Sequence, residues 1–158
     1  MPDDLYWDDT LLWSERQAGL LRRLAAGERV NDVDWEHVIE EIEDVGKTEL
    51  RACTSLLLRA IGHLLKLRGW PGHLANEHWR AEALVFLRDA ALAFSPSMGR
   101  KIDLDDLYRL AVEDVRSITV DTKPPAGLPD LCPFTLGDLL ARKLNLDDLL
   151  AKLQPPAD

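Results

Sequence analysis

From Trp35 to about Arg68 the chain keeps apolar residues at helical spacing, a run of roughly ten turns. No other feature narrows the fold as much. At about 100° per residue, Trp35, Val38, Ile39, Ile42 and Val45 form one stripe, which Leu56, Leu57, Ala60, Leu64 and Leu67 continue. Such a stripe must be buried against another element, so the pattern predicts helices packed on helices. Gly46 interrupts the stripe. One glycine costs only about 1 kcal/mol relative to alanine, so the expectation is a single long helix, with Gly46 as a site where it can bend. Asp34 stands in front as an N-cap and Glu36 complements the dipole in the first turn.

The flanking segments read as further helices. One is expected from Asp9 or Thr10 to about Ala26, with Trp13, Leu20, Leu21 and Leu24 inward and Gly27 ending it. Gly69-Trp70-Pro71-Gly72 ends the long helix. A third helix follows over about Asn76–Phe94, its inner face formed by Trp79, Ala83, Phe86, Leu87 and Ala90. Ser95-Pro96-Ser97 closes it, and Asp103 caps a fourth helix to about Ile118, with Leu107, Leu110, Ala111 and Val115 inward. Lys123-Pro124-Pro125-Ala126-Gly127 cannot be helical. Thr135 and Asp138 pair as the start of a short helix, and Leu146–Leu153 form another before the Pro155-Pro156 tail. No strand-like alternation occurs. The predicted fold class is all-α: a single domain over residues 1–158, an up-and-down bundle of about four main helices with short peripheral C-terminal helices.

Charge restricts the partners. The net charge of −9 disfavours general affinity for nucleic acid. It is unevenly spread: −9 over residues 1–50, +4 over 51–100 and −4 over 101–158. Pairing between neighbouring helices of opposite sign accounts for the basic middle; an exposed basic surface is the alternative. No apolar run is long enough to cross a membrane. The acidic start Met1-Pro2-Asp3-Asp4 lacks the positive charge of a secretory leader, so a cytoplasmic location is expected. Cys53 and Cys132 are expected to be free thiols in no metal or redox spacing.

Several residues invite chemistry. His37, Glu40, Glu41 and Asp44 have helical spacing that could gather metal ligands, but the same angular count sets His37, Glu40 and Asp44 opposite the apolar stripe, on a solvated face, with Glu41 and Glu43 at its boundary. Glu49 falls within the stripe, where its charge requires a partner. Arg80, Arg88 and His63 are the candidates, making Glu49, His63, Arg80 and Arg88 a possible buried polar site, with a structural ion pair as the plainer reading. His63, His73 and His78 match no established zinc spacing. Arg51, Arg59 and Lys66 share one side of the long helix and could meet phosphates. Among the five tryptophans, Trp13, Trp35 and Trp79 fall on apolar faces as core anchors, while Trp7 and Trp70 lie near segment ends and would mark a docking surface if exposed.

These residues also carry a resemblance. Trp13 with Gln17 and Leu20-Leu21-Arg22, Asp34-Trp35, Ile39-Glu40-Glu41-Ile42-Glu43, His63-Leu64-Leu65-Lys66, Trp79, Ser95-Pro96-Ser97 and Cys132-Pro133-Phe134-Thr135-Leu136 together resemble the Domain of Unknown Function 29 family. The similarity runs from Tyr6 to Leu140. That family more often has tyrosine where Phe134 stands, and Trp70 is displaced from the tryptophan that usually follows the lysine directly. The resemblance implies an all-helical fold, no established activity and no catalytic residues to carry over.

No nucleophile motif, phosphate-cradling glycine loop or Ser/His/Asp set is present, and no cofactor or metal ligand set is implied. The sequence favours a non-catalytic helical interaction module that binds another protein or itself as a homodimer. A metal-binding or enzymatic bundle around Glu49 and His63, and nucleic-acid binding through Arg51, Arg59 and Lys66, are the alternatives.

Overall fold

The computed structural model describes residues 5–154; the leader reading of Met1–Asp4 and the Pro155-Pro156 tail lie outside the described residues. The described residues form α-helices, one 3-10 helix at Pro96–Arg100 and no strand. The helices are α1 (Leu5–Asp8), α2 (Thr10–Ala25), α3 (Trp35–Gly69), α4 (Asn76–Ala93), α5 (Leu104–Arg116), α6 (Leu136–Leu139) and α7 (Leu146–Lys152). The all-α class and the four main helices expected from periodicity are present, and the long helix is unbroken at Gly46. None of these helices is long and apolar enough to cross a membrane. Two compact units divide the chain between Thr48 and Glu49, so α3 contributes to both.

In the first unit, Asp9 caps α2 by accepting the Leu12 amide at 3.0 Å. Gly27, with φ of 86°, turns the chain out of α2, and the Gly27 and Glu28 amides return to Leu24 and Arg23 carbonyls. Asp34 caps α3 as expected, its Oδ1 accepting the His37 amide at 3.4 Å. Trp13, Val33 and Val38 form the core of this unit, with Leu5, Tyr6, Leu20, Leu21 and Val30 packed around them.

In the second unit, α3 and α4 form an antiparallel hairpin. Contacts rise along α3 as they fall along α4: Cys53 with Ala90, Arg59 with Phe86, His63 with Glu82, and Trp70 with Trp79. Leu57, Ala60, Ile61, Leu64 and Leu65 are buried in this core, together with Ala83, Leu87, Ala111, Val112 and Leu139. Tyr108, absent from the expected inner face of α5, is buried and donates its hydroxyl to the Pro129 carbonyl at 2.8 Å. Trp70 is buried rather than exposed, and its Nε1 donates to the Lys123 carbonyl at 3.0 Å.

The proline segment is a strap across the end of α3. The Ala126 amide donates to the Gly69 carbonyl, and a β-carbon on Gly69 would stand 2.8 Å from Cβ of Pro125. A side chain at position 69 would therefore push the strap away. Asp138 and Thr135 cap α6 reciprocally, as their spacing predicts.

Candidate functional site

The residues expected to form a buried polar site do not converge. Glu49 and Arg88 are exposed, and Arg80 reaches Asp147 at 2.9 Å instead. His63 Nδ1 lies 2.8 Å from the Arg59 carbonyl, while Nε2 lies 3.1 Å from Glu82 Oε2. A carbonyl only accepts, so Nδ1 is the donor there. Glu49 escapes burial because the helix surface around it is uncovered: every residue from Ile42 to Glu49 is exposed.

Nor do the histidines gather. His73 stacks on Trp79 with ring centroids 5.4 Å apart and contacts Asp121 at 2.9 Å, while His78 sits 3.8 Å from Glu82. Among the described residues no group of three or more His, Cys, Asp and Glu side chains could hold a metal ion. Cys53 is buried and Cys132 half-buried; both are free thiols, and burial pushes each up from its ordinary pKa. Such thiols are poor nucleophiles. Arg51 and Arg59 are exposed, Lys66 is half-buried, and none of them forms an ion pair within the described residues.

The first unit reverses two expectations. Of the residues expected on a solvated face of α3, Glu40 and Asp44 are exposed but His37 is half-buried, and His37 and the boundary residue Glu41 both have partners inside the unit. The His37 ring stacks on Tyr6, with centroids 3.9 Å apart and planes 21° apart, and its Nδ1 lies 2.7 Å from Asp34 Oδ2. Trp13 Nε1 donates to the same oxygen at 3.0 Å, and the Asp34 amide donates to Gln17 Oε1 at 2.9 Å. Tyr6 completes the cluster by donating its hydroxyl to Glu41 Oε1 at 2.7 Å. Burial pushes the Asp34 carboxyl up, but the bonds from His37 and Trp13 outweigh it and hold the group below the ordinary carboxylate range. The bond to Glu41, with burial and nearby acidic charge, pushes Tyr6 up to about 12.

The expected core stripe, conversely, faces outward. Trp35 is 52% exposed, Ile39 53%, Ile42 68% and Val45 65%, while Val38 alone of this group is buried at 7%. Trp35 is therefore not a core anchor, whereas Trp13 and Trp79 are buried as expected. The stripe has an acidic edge in the exposed Glu36 and Glu43, while Glu40 and Asp44 are exposed on the far side of the helix, and Lys47 is drawn to Glu43 and Asp44. Periodicity located the stripe and mistook its direction. The missed signal lay upstream, in Tyr6, Trp13 and Gln17, which supply the hydrogen-bonding partners that draw the His37 side inward.

The network gives a physical reason for several residues of the resemblance, since Trp13, Gln17 and Asp34 bond one another within it. A model of the family described as domain of unknown function DUF29 matches residues 5–144. A solved structure, an alpha-helical protein of unknown function from Rhodospirillum rubrum, is similar at 30% identity with a TM-score of 0.73, covering 95% of this chain and 98% of that one. No curated protein matches the chain. The chain belongs to the DUF29 family.

Proposed function

We propose that this DUF29 protein is a non-catalytic helical interaction module whose docking surface is the outward stripe of α3. The carrying observation is the exposure of Trp35, Ile39, Ile42 and Val45 on successive turns. A contiguous apolar face with a polar border is the ordinary signature of a surface awaiting a partner. The border selects the partner's chemistry. Glu36 and Glu43 favour an amphipathic helix with lysine or arginine flanking its apolar side. A second copy fits less well, because an antiparallel pairing centred on Ile42 brings the acidic edge of Glu36 and Glu43 against the same edge of the other copy, and like charges juxtaposed across an interface repel.

A designed helical peptide with a leucine face and lysine flanks tests this directly, alongside the same peptide with glutamate flanks. The lysine peptide is expected to bind and blue-shift the tryptophan emission, and Ile42→Asp in the protein is expected to abolish the effect. Equal binding of the glutamate peptide, or binding unaffected by Ile42→Asp, would overturn the reading. Sedimentation of the protein alone supplies the remaining arm: a dimer dissociated by Ile42→Asp would replace the basic helix with a second copy.

A further inference from the structure

We propose that the cleft between α3 and α5 binds a small organic monoanion with an apolar body, such as a carboxylate on an aryl or medium-length acyl chain. The cleft has a volume of about 290 Å³ and lies wholly within the second unit. That places it near the lower bound of ligand pockets, about 300 Å³, and so suits a small guest. Leu58 and Gly62 of α3 face Ala111 and Val115 of α5, with Ile118 beyond the end of α5, and these form its apolar lining.

Three features point to a ligand rather than to an incidental furrow. The first is the space itself. A β-carbon built on Gly62 meets no atom within 4 Å, so the absent side chain leaves open volume over the middle of a long helix. The second is charge. Arg59 and Lys66 stand at the cleft, and neither forms an ion pair among the described residues. The Arg59 guanidinium lies 5.8 Å from the Phe86 ring centroid, a contact that leaves its charge unneutralised. The third is prior commitment of the other polar group on this wall. His63 has both ring nitrogens engaged, by the Arg59 carbonyl and Glu82, so its ring is fixed as a wall and the anion is left to Arg59 and Lys66.

The same residues set the ligand's class. Arginine presents a planar fork suited to a carboxylate, and lysine adds a point charge. Asp114 on the α5 side disfavours a dianion such as phosphate. Ala111 and Val115 are buried at the base, so the body that follows the carboxylate must be apolar. The cleft is separate from the exposed stripe of α3, and neither proposal depends on the other.

Titration of the full chain with octanoate and 3-phenylpropionate, followed by backbone amide NMR, tests the site. Octanamide and inorganic phosphate serve as comparisons. Saturable shifts are expected at residues 58–66 and 111–118, with octanamide binding roughly tenfold more weakly, a difference of about 1.4 kcal/mol. Gly62→Leu fills the space and is expected to weaken octanoate by at least roughly tenfold. Arg59→Gln and Lys66→Gln should each weaken it several-fold and erase the preference over octanamide. Circular dichroism monitors folding, and if Gly62→Leu does not fold, the two charge variants decide. The proposal is overturned by equal affinity for octanamide, by phosphate perturbing the same amides as strongly, by shifts at residues 35–45 instead, or by no saturable shift with either acid.

Discussion

His37 Nδ1 lies 2.7 Å from Asp34 Oδ2, one turn along the same helix, and Trp13 Nε1 reaches that oxygen from α2 at 3.0 Å. One carboxylate thus caps α3, fixes the histidine ring and ties two helices together. Because the His37 side is drawn toward α2, the apolar stripe on the other side of α3 points away from it. The orientation that exposes Trp35 and Ile42 follows from these polar contacts.

Asp34 should accordingly be the most sensitive surface-accessible position in the first unit. Asp34→Ala removes the cap and two side-chain bonds and is expected to lower stability by about 2 kcal/mol, the upper part of the range for a lost N-cap. Asp34→Asn, which can still cap, should cost less. Its folded pKa is depressed, so the stabilisation is present above the ordinary carboxylate range and is lost as pH falls through the lowered value. Urea unfolding at neutral pH and at successively lower pH checks both the magnitude and the sign.

Tyr6 titrates in the opposite sense. Its folded pKa is raised to about 12, so the Tyr6–Glu41 bond stabilises the fold fully below the ordinary tyrosine value and is lost as pH rises through about 12. Ultraviolet difference titration should show this delayed ionisation. Glu41→Gln removes the largest cause and should return Tyr6 toward its ordinary value; an unchanged titration would contradict the assignment.

Neighbouring positions on α3 should respond oppositely to truncation and to charge. Val38 is 7% exposed, and Val38→Ala is expected to cost roughly 2 kcal/mol through lost packing. Ile42→Asp and Val45→Asp replace exposed side chains and should change the stability of the isolated protein by no more than about 0.5 kcal/mol. Thermal unfolding of the three variants distinguishes this orientation from one with the stripe inside, which would make the aspartates the most damaging.

Two glycines of the same helix provide a matched pair. Gly62→Ala places a methyl group in open space and should stabilise the helix by up to about 1 kcal/mol. Gly69→Ala places one 2.8 Å from Pro125 and should destabilise by about 1–3 kcal/mol, the range for overpacking. Denaturant midpoints of the two variants should therefore move in opposite directions.

The features legible in the chain were those with local causes. Asp9, Asp34, Asp103 and Thr135 cap the helices their positions predict, because a cap acts on amides within a few residues. Trp79, Ala83, Leu87 and Ala90 are buried as α4 periodicity predicts. The strap at Lys123–Gly127 was legible as non-helical, but its hydrogen bonds to Gly69 and Trp70 were not.

The sequence by itself determined that residues 35–69 form one helix, where it begins and ends, and which residues share each of its sides, since these follow from backbone hydrogen bonding and the period of the chain. Only the tertiary structure decided which side is covered. A stripe is buried only where another element lies on it. In the first unit Tyr6, Trp13 and Gln17 satisfy polar atoms at or beside the start of α3, so the buried side there is the one bearing Val38, His37 and Glu41. In the second unit α4 and α5 lie on the apolar side, so Leu57, Ile61 and Leu64 are enclosed as their spacing predicts. Hydrophobic periodicity is common to both halves of the helix; the neighbours that use it are not.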